Sequence, residues 1–252
     1  MLFHVGERSG RSLFHGAVLH QDVAHLDEIL LGAITLVEKQ KILAVAGVLD
    51  FESTLKVLEA RGRFMQEACE ATESGMIAIV GAAAEQLEEL CRKSGCTVAN
   101  INSAQQQVLS GSKADIAKAV EAAKELGIKR ALPLATAGAF HSKYMLSARE
   151  KLAAVLDTVE FKKPQIPVLS NITCKPHSDD PAEIKAMMLE QVTGTTNWAA
   201  DIECAVKMGC DTFVEFGPGK VLSGLVKKIA ASAKLANVGD VPSLEATAAL
   251  FG

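Results

Sequence analysis

The chain has 252 residues, 49% of them hydrophobic, and a formal net charge of −4. That is enough apolar material to bury a sizeable core in one domain with a subdomain, and 26 basic against 30 acidic residues leave no basic excess for holding nucleic acid. The longest early apolar run, residues 29–37, falls far short of the roughly 20 residues that span a bilayer and lacks the placement of a signal peptide, which argues against a membrane span and for the cytoplasm.

In chain order, residues 1–44 show no clear pattern. Four of the six histidines lie there, His4, His15, His20 and His25. Steps of five turn successive side chains by roughly 140° on a helix, so His15, His20 and His25 cannot share a face and no metal site is expected. Residues 50–71 read as a helix: Asp50 can cap it, and Phe51, Leu55, Leu58, Gly62, Met65 and Cys69 recur at steps that draw one buried stripe, with Arg61 beside it. Residues 75–134 then read strand, helix, strand, strand, helix, strand, at 76–80, 84–94, 97–102, 106–110, 113–126 and 129–134, with Gly81, Gly95, Gly111 and Gly127 at the breaks. That order predicts a ferredoxin-like unit, an antiparallel sheet with two helices on one face.

A helix at 144–159 follows, then an extended stretch at 167–172 kept non-helical by Pro164 and Pro167, a helix near 181–192 and a strand at 212–216. Gly217-Pro218-Gly219 turns into a helix at Lys220; it lacks the further glycine and the Ser or Thr of a phosphate loop and reads as a structural turn. Cys69, Cys91, Cys96, Cys174, Cys204 and Cys210 fit neither paired zinc knuckles nor a disulfide scaffold, so reduced thiols are expected.

The pentapeptide Gly138-Ala139-Phe140-His141-Ser142, between a short strand and a helix, holds the candidate chemistry. A histidine there can take a proton from a serine nucleophile. Such a serine is normally presented in a Gly-x-Ser-x-Gly turn, and the sequence contains none. Gly10-Arg11-Ser12-Leu13-Phe14 has half the pattern, but Phe14 replaces the second glycine.

Seven segments resemble the malonyl-CoA:acyl carrier protein transacylases of bacterial fatty-acid synthesis: Val45 to Phe51, Ala60 to Ala68, Asn100-Ile101-Asn102-Ser103, Ala131-Leu132-Pro133-Leu134, the histidine pentapeptide, Pro167-Val168-Leu169-Ser170-Asn171, and Glu215-Phe216-Gly217-Pro218-Gly219-Lys220-Val221-Leu222. The resemblance runs from about Val45 to the C-terminus. It implies an α/β fold with an α/β-hydrolase-like core, truncated at its N-terminus and formed by 45–74 and 135–252, an inserted ferredoxin-like βαββαβ subdomain at 75–134, and an atypical segment at 1–44.

It also implies roles. His141 matches the general base, Arg61 the arginine that pairs with the malonyl carboxylate, and Gln191 a position whose backbone carbonyl orients the histidine. Asn102 and Asn171 match pocket-shaping positions, and Phe140 would crowd a branched acyl group. The implied substrates and partners are malonyl-CoA and phosphopantetheinylated acyl carrier protein, with no cofactor, no nucleic acid and no membrane. The family's glutamine-bearing oxyanion turn and its Gly-His-Ser-Leu-Gly-Glu elbow have no counterpart here; residues 34–40 stand in the elbow's place, which suggests a truncated or frame-shifted reading frame. Two classes of function therefore stay open, a malonyl transferase and a homologue that binds malonyl-CoA or carrier protein without transfer.

Overall fold

Asp50 starts the longest helix described in the computed structural model, which covers residues 2–4, 39–217 and 219–251. Its carboxylate accepts a 2.7 Å hydrogen bond from the Ser53 amide, so α2 (Phe51–Glu70) is N-capped. The stripe expected from sequence is buried at Met65 and Cys69 but not along its first half. Phe51 is 75% and Leu55 50% exposed and Gly62 faces outward, whereas Thr54, Val57, Ala60, Met65, Ala68 and Cys69 are buried. The packing partner decides this: α5 (Leu146–Leu156) and a short 3-10 turn, Lys143–Met145, share the core with Ala60, Met65 and Ala68. Small side chains let the two helices approach, and the larger ones at the start of α2 stay outside.

α1 (Lys39–Val45) precedes α2 and puts Ile42 and Leu43 in the same core, so the folded core reaches back past residue 45. α6 (Pro181–Thr193) adds Ile184, Met188 and Val192; Asp180 caps it through the Ala182 amide at 2.9 Å, with Pro181 at its first position.

Residues 74–134 form β2 (Ser74–Val80), α3 (Ala84–Ser94), β3 (Thr97–Ser103), β4 (Gln106–Ser112), α4 (Lys113–Glu125) and β5 (Arg130–Leu134). The strands pair antiparallel in the order β3-β4-β2-β5. Ser112 accepts from the Asp115 amide at 3.0 Å and Asp115 accepts in return from the Ser112 amide at 3.3 Å, a capping box that starts α4. Gly111 is not a break but lies within β4, where a Cβ would stand 2.9 Å from the Cys96 sulfur. Because side chains alternate across the sheet, Ile77, Ile79 and Leu109 join Leu90 and Ile116 of the helices on one face. Met76, Ala99 and Val108 on the other face meet Phe140.

The remaining sheet has β8 (Thr212–Phe216) at its centre, parallel to β9 (Lys234–Val238) and antiparallel to β1 (Leu2–His4). α8 (Val221–Ile229) connects β8 to β9, and Glu215, 5% exposed, accepts from the Leu222 amide at 3.1 Å, the Ser223 amide at 2.9 Å and the Ser223 hydroxyl at 2.7 Å. The two amides are orphan donors of a helix N-terminus, met by an anion at the positive end of the dipole. α7 (Trp198–Lys207) packs Trp198, Ile202 and Ala205 against Phe213, Leu225 and Val226. β6 (Leu169–Ser170) pairs with β7 (Lys175–Pro176), and α9 (Val241–Ala248) follows β9. No helix among the described residues is long and apolar enough to cross a membrane. Ser12, His15, His20 and His25 lie outside the described residues.

Candidate active site

The His141 turn is pinned from three sides. Gly138 passes so near α2 that no side chain fits there. The Ala139 amide donates to the Ser74 hydroxyl at 3.1 Å, and the Ser110 hydroxyl donates to the Phe140 carbonyl at 2.6 Å, tying the turn to β2 and β4. Ser142 donates its hydroxyl hydrogen to the Ala139 carbonyl at 2.6 Å and accepts from the Tyr144 amide at 3.3 Å. Held this way, His141 adopts φ 54, a left-handed conformation shared among the described non-glycine residues only by Cys174. A residue with a Cβ pays roughly 1–2 kcal/mol for that backbone, and strain retained by several anchors is characteristic of functional turns.

The ring of His141 has its Nδ1 2.9 Å from the Gln191 carbonyl oxygen. A carbonyl only accepts, so Nδ1 carries the hydrogen and Nε2 keeps its lone pair. Gln191 lies in the last turn of α6, where carbonyls have no partner within the helix. The same negative helix end stabilises an imidazolium when one forms. Nε2 is 3.4 Å from the hydroxyl of buried Thr196. Thr196 is itself laid along β3, its amide donating to the Ala99 carbonyl at 2.8 Å and its carbonyl accepting from the Ile101 amide at 2.9 Å.

Behind Gln191 the polar groups continue inward. Its side-chain Nε2 donates to Asn171 Oδ1 at 2.8 Å, and Asn171 Nδ2 donates to a carboxyl oxygen of Asp201. Asn171 and Asp201 are both 0% exposed. The Asn171 carbonyl accepts from the Asn197 amide at 3.2 Å and side chain at 3.0 Å, which ties the start of α7 to the same place.

His141 and Gln191 are thus in direct contact, and Asn171 joins them through the Gln191 side chain. Arg61 is half-buried on α2, roughly two helical turns (12 Å) before Cys69, the residue that touches the His141 turn. Its neighbour Arg63 is engaged at the surface with Glu59 at 2.9 Å and Glu67 at 3.6 Å and lies over the Phe64 ring. Asn102 is half-buried on β3. Sequence reasoning missed Thr196 and Asp201. For Asp201 a signal existed, since an acidic residue falls on the face of α7 that buries Trp198, Ile202 and Ala205.

Burial pushes the Cys69 thiol up, and burial, with Cys96 nearby, pushes Cys91 up to about 11, so both stay protonated at neutral pH.

A family model described as "Acyl transferase domain" matches residues 42–245. The malonyl CoA-acyl carrier protein transacylase of Bacillus subtilis is 39% identical over 208 residues, covering 81% of this chain and 65% of its own length. The enzyme of the same name from Haemophilus influenzae is 36% identical over 208 residues, with 81% and 66% covered. This chain therefore spans just under two thirds of the length of those relatives. Among solved structures, an acyl carrier protein S-malonyltransferase from Vibrio cholerae superposes with a TM-score of 0.79 at 36% identity, covering 83% of this chain and 69% of that one. A malonyl-transacylase in complex with a type II PKS acyl-carrier protein gives 0.78 at 34%, covering 82% and 68%.

Proposed function

The chain belongs to the acyl transferase domain family, and we propose that it serves malonyl transfer from malonyl-CoA to the phosphopantetheine thiol of acyl carrier protein in fatty-acid synthesis. The observation that carries this reading is the 2.9 Å contact from His141 Nδ1 to the Gln191 carbonyl, which leaves the Nε2 lone pair to act as base. In the reaction His141 takes the serine proton as the serine oxygen attacks the malonyl thioester, and returns it to the departing coenzyme A sulfur. The carrier-protein thiol then gives its proton to His141, its sulfur attacks the malonyl ester, and the serine oxygen leaves with the proton. Two displacements replace one difficult transfer, and no cofactor is needed.

Arg61 is the residue for the free malonyl carboxylate, because a guanidinium fork stays charged and binds carboxylate through two hydrogen bonds. The carrier-protein partner rests on the names of the relatives and on the solved complex of one of them. The same reading takes residues 45–74 and 135–252 as one α/β-hydrolase-like core with the 75–134 unit inserted, in the cytoplasm. Since no Gly-x-Ser-x-Gly occurs in the sequence, these residues receive the base and carboxylate roles, and the test supplies the serine.

The family's amino-terminal segment with its serine elbow is joined ahead of Val45. Malonyl should move from malonyl-CoA to acyl carrier protein, and His141→Ala in the hybrid should abolish it. A folded hybrid that binds malonyl-CoA without transfer would favour a binding role instead.

A further inference from the structure

Asp201 is a carboxyl group buried to 0% exposure on a helix otherwise packed in an apolar cluster, and it lies two hydrogen-bonded residues away from the one that holds His141. A buried carboxyl costs stability unless its surroundings use it. Its effect follows from the symmetry of an amide. An asparagine side chain presents an oxygen and an NH₂ of nearly the same shape, and only its partners decide which way round it sits. Because the Asp201 Oδ2 accepts from Asn171 Nδ2, the Asn171 Oδ1 is turned toward Gln191. Gln191 must then donate through Nε2, which seats the residue whose carbonyl receives the His141 Nδ1 hydrogen.

We infer that Asp201 is a positioning residue for His141: through Asn171 and Gln191 it fixes the carbonyl that keeps the imidazole in its Nδ1–H form. This rests on the reading of His141 as the base, and the geometry assigns to α7 a part in setting the histidine's tautomer. Asp201 acts by removing the alternative in which Asn171 is flipped, Gln191 faces a donor, and the Gln191 carbonyl drifts from the ring.

The test reads His141 itself in the chain with the sequence given, without activity, so its outcome is separate from that of the transfer assay. In ¹⁵N-labelled protein, solvent exchange of the His141 Nδ1–H and the ring nitrogen shifts are measured for wild type, Asp201→Asn and Asp201→Leu, with backbone amide exchange in α7 as the control for general loosening. Asp201→Leu should speed Nδ1–H exchange about tenfold beyond any change in α7, the factor for one lost hydrogen bond of ordinary strength, and should move the ring shifts toward a mixture of tautomers. Asp201→Asn, near-isosteric and able both to accept and to donate, should give about threefold. If Asp201→Leu does not fold, Asp201→Asn alone decides. Wild-type exchange and shifts in a folded Asp201→Asn, or changes no greater than those of α7, would overturn the assignment.

Discussion

Gly138 lies against Cys69 so closely that a Cβ on it would stand 2.5 Å from the cysteine sulfur and 3.1 Å from the cysteine Cβ. The first contact could be relieved by a side-chain change, but the Cys69 Cα, at 3.3 Å, belongs to the helix backbone and cannot move alone. Gly138→Ala should therefore cost roughly 1–3 kcal/mol of stability in urea unfolding, as overpacking does. Adding Cys69→Ala should recover only part of it, and the two effects should be non-additive because the residues touch.

Glu215 makes three hydrogen bonds to the first turn of α8 from a buried position. Glu215→Ala leaves those donors unmet and should cost roughly 1–3 kcal/mol. Glu215→Gln keeps one acceptor and should cost less. Equal losses in urea unfolding would mean that volume, not capping, matters here.

Much of the 74–134 unit is legible because its signals are local. Gly81, Gly95 and Gly127 take positive φ where strands or helices end, and Ser112 with Asp115 starts a helix by their own hydrogen bonds. Elements set by distant partners are harder to read. On α2, Phe51 and Leu55 are apolar yet exposed and Thr54 is polar yet buried, so hydrophobic spacing alone does not give the face of its first half. α7 begins at Asn197 without a side-chain cap, and Lys234–Val238, with lysine, alanine and asparagine, has weak strand propensity but is held in place by β8. In the site, the contact of His141 with Gln191 is the one the resemblance implies, whereas the path from Gln191 to Asp201 runs from α6 through the turn after β6 to α7 and has no sequence period.

The hydrogen bond to Ser112 holds the Asp115 carboxyl below its ordinary value, with Lys118 adding to the effect. A carboxyl depressed in the folded state contributes stability that is present above its unfolded value and is lost as pH falls through the folded one. The stability gap between wild type and Asp115→Asn should be full at neutral pH and shrink below about pH 4. A gap unchanged down to pH 3 in thermal unfolding would remove the carboxylate as its cause.

The chain with the sequence given should transfer malonyl no faster than background. Loss of a nucleophile from a triad-type site typically costs on the order of a millionfold in turnover, and no serine here has the elbow that would supply one. Transfer to purified acyl carrier protein at an ordinary enzymatic rate would require another nucleophile.

Arg61 separates a malonyl site from a generic acyl site. In the hybrid carrying a serine elbow ahead of Val45, transfer of malonyl should exceed that of acetyl, since only malonyl offers a carboxylate. Arg61→Ala should weaken malonyl use by roughly 2 to 4 kcal/mol, the size of a lost charge-assisted two-point contact, and leave acetyl use little changed. Arg61→Lys should recover part of the loss, because an ammonium keeps the charge but not the planar fork. The half-buried position of Arg61 on a helix that also packs against the His141 turn allows a different outcome to be recognised. If kcat/KM falls equally for malonyl and acetyl, Arg61 supports α2 and the carboxylate is bound elsewhere.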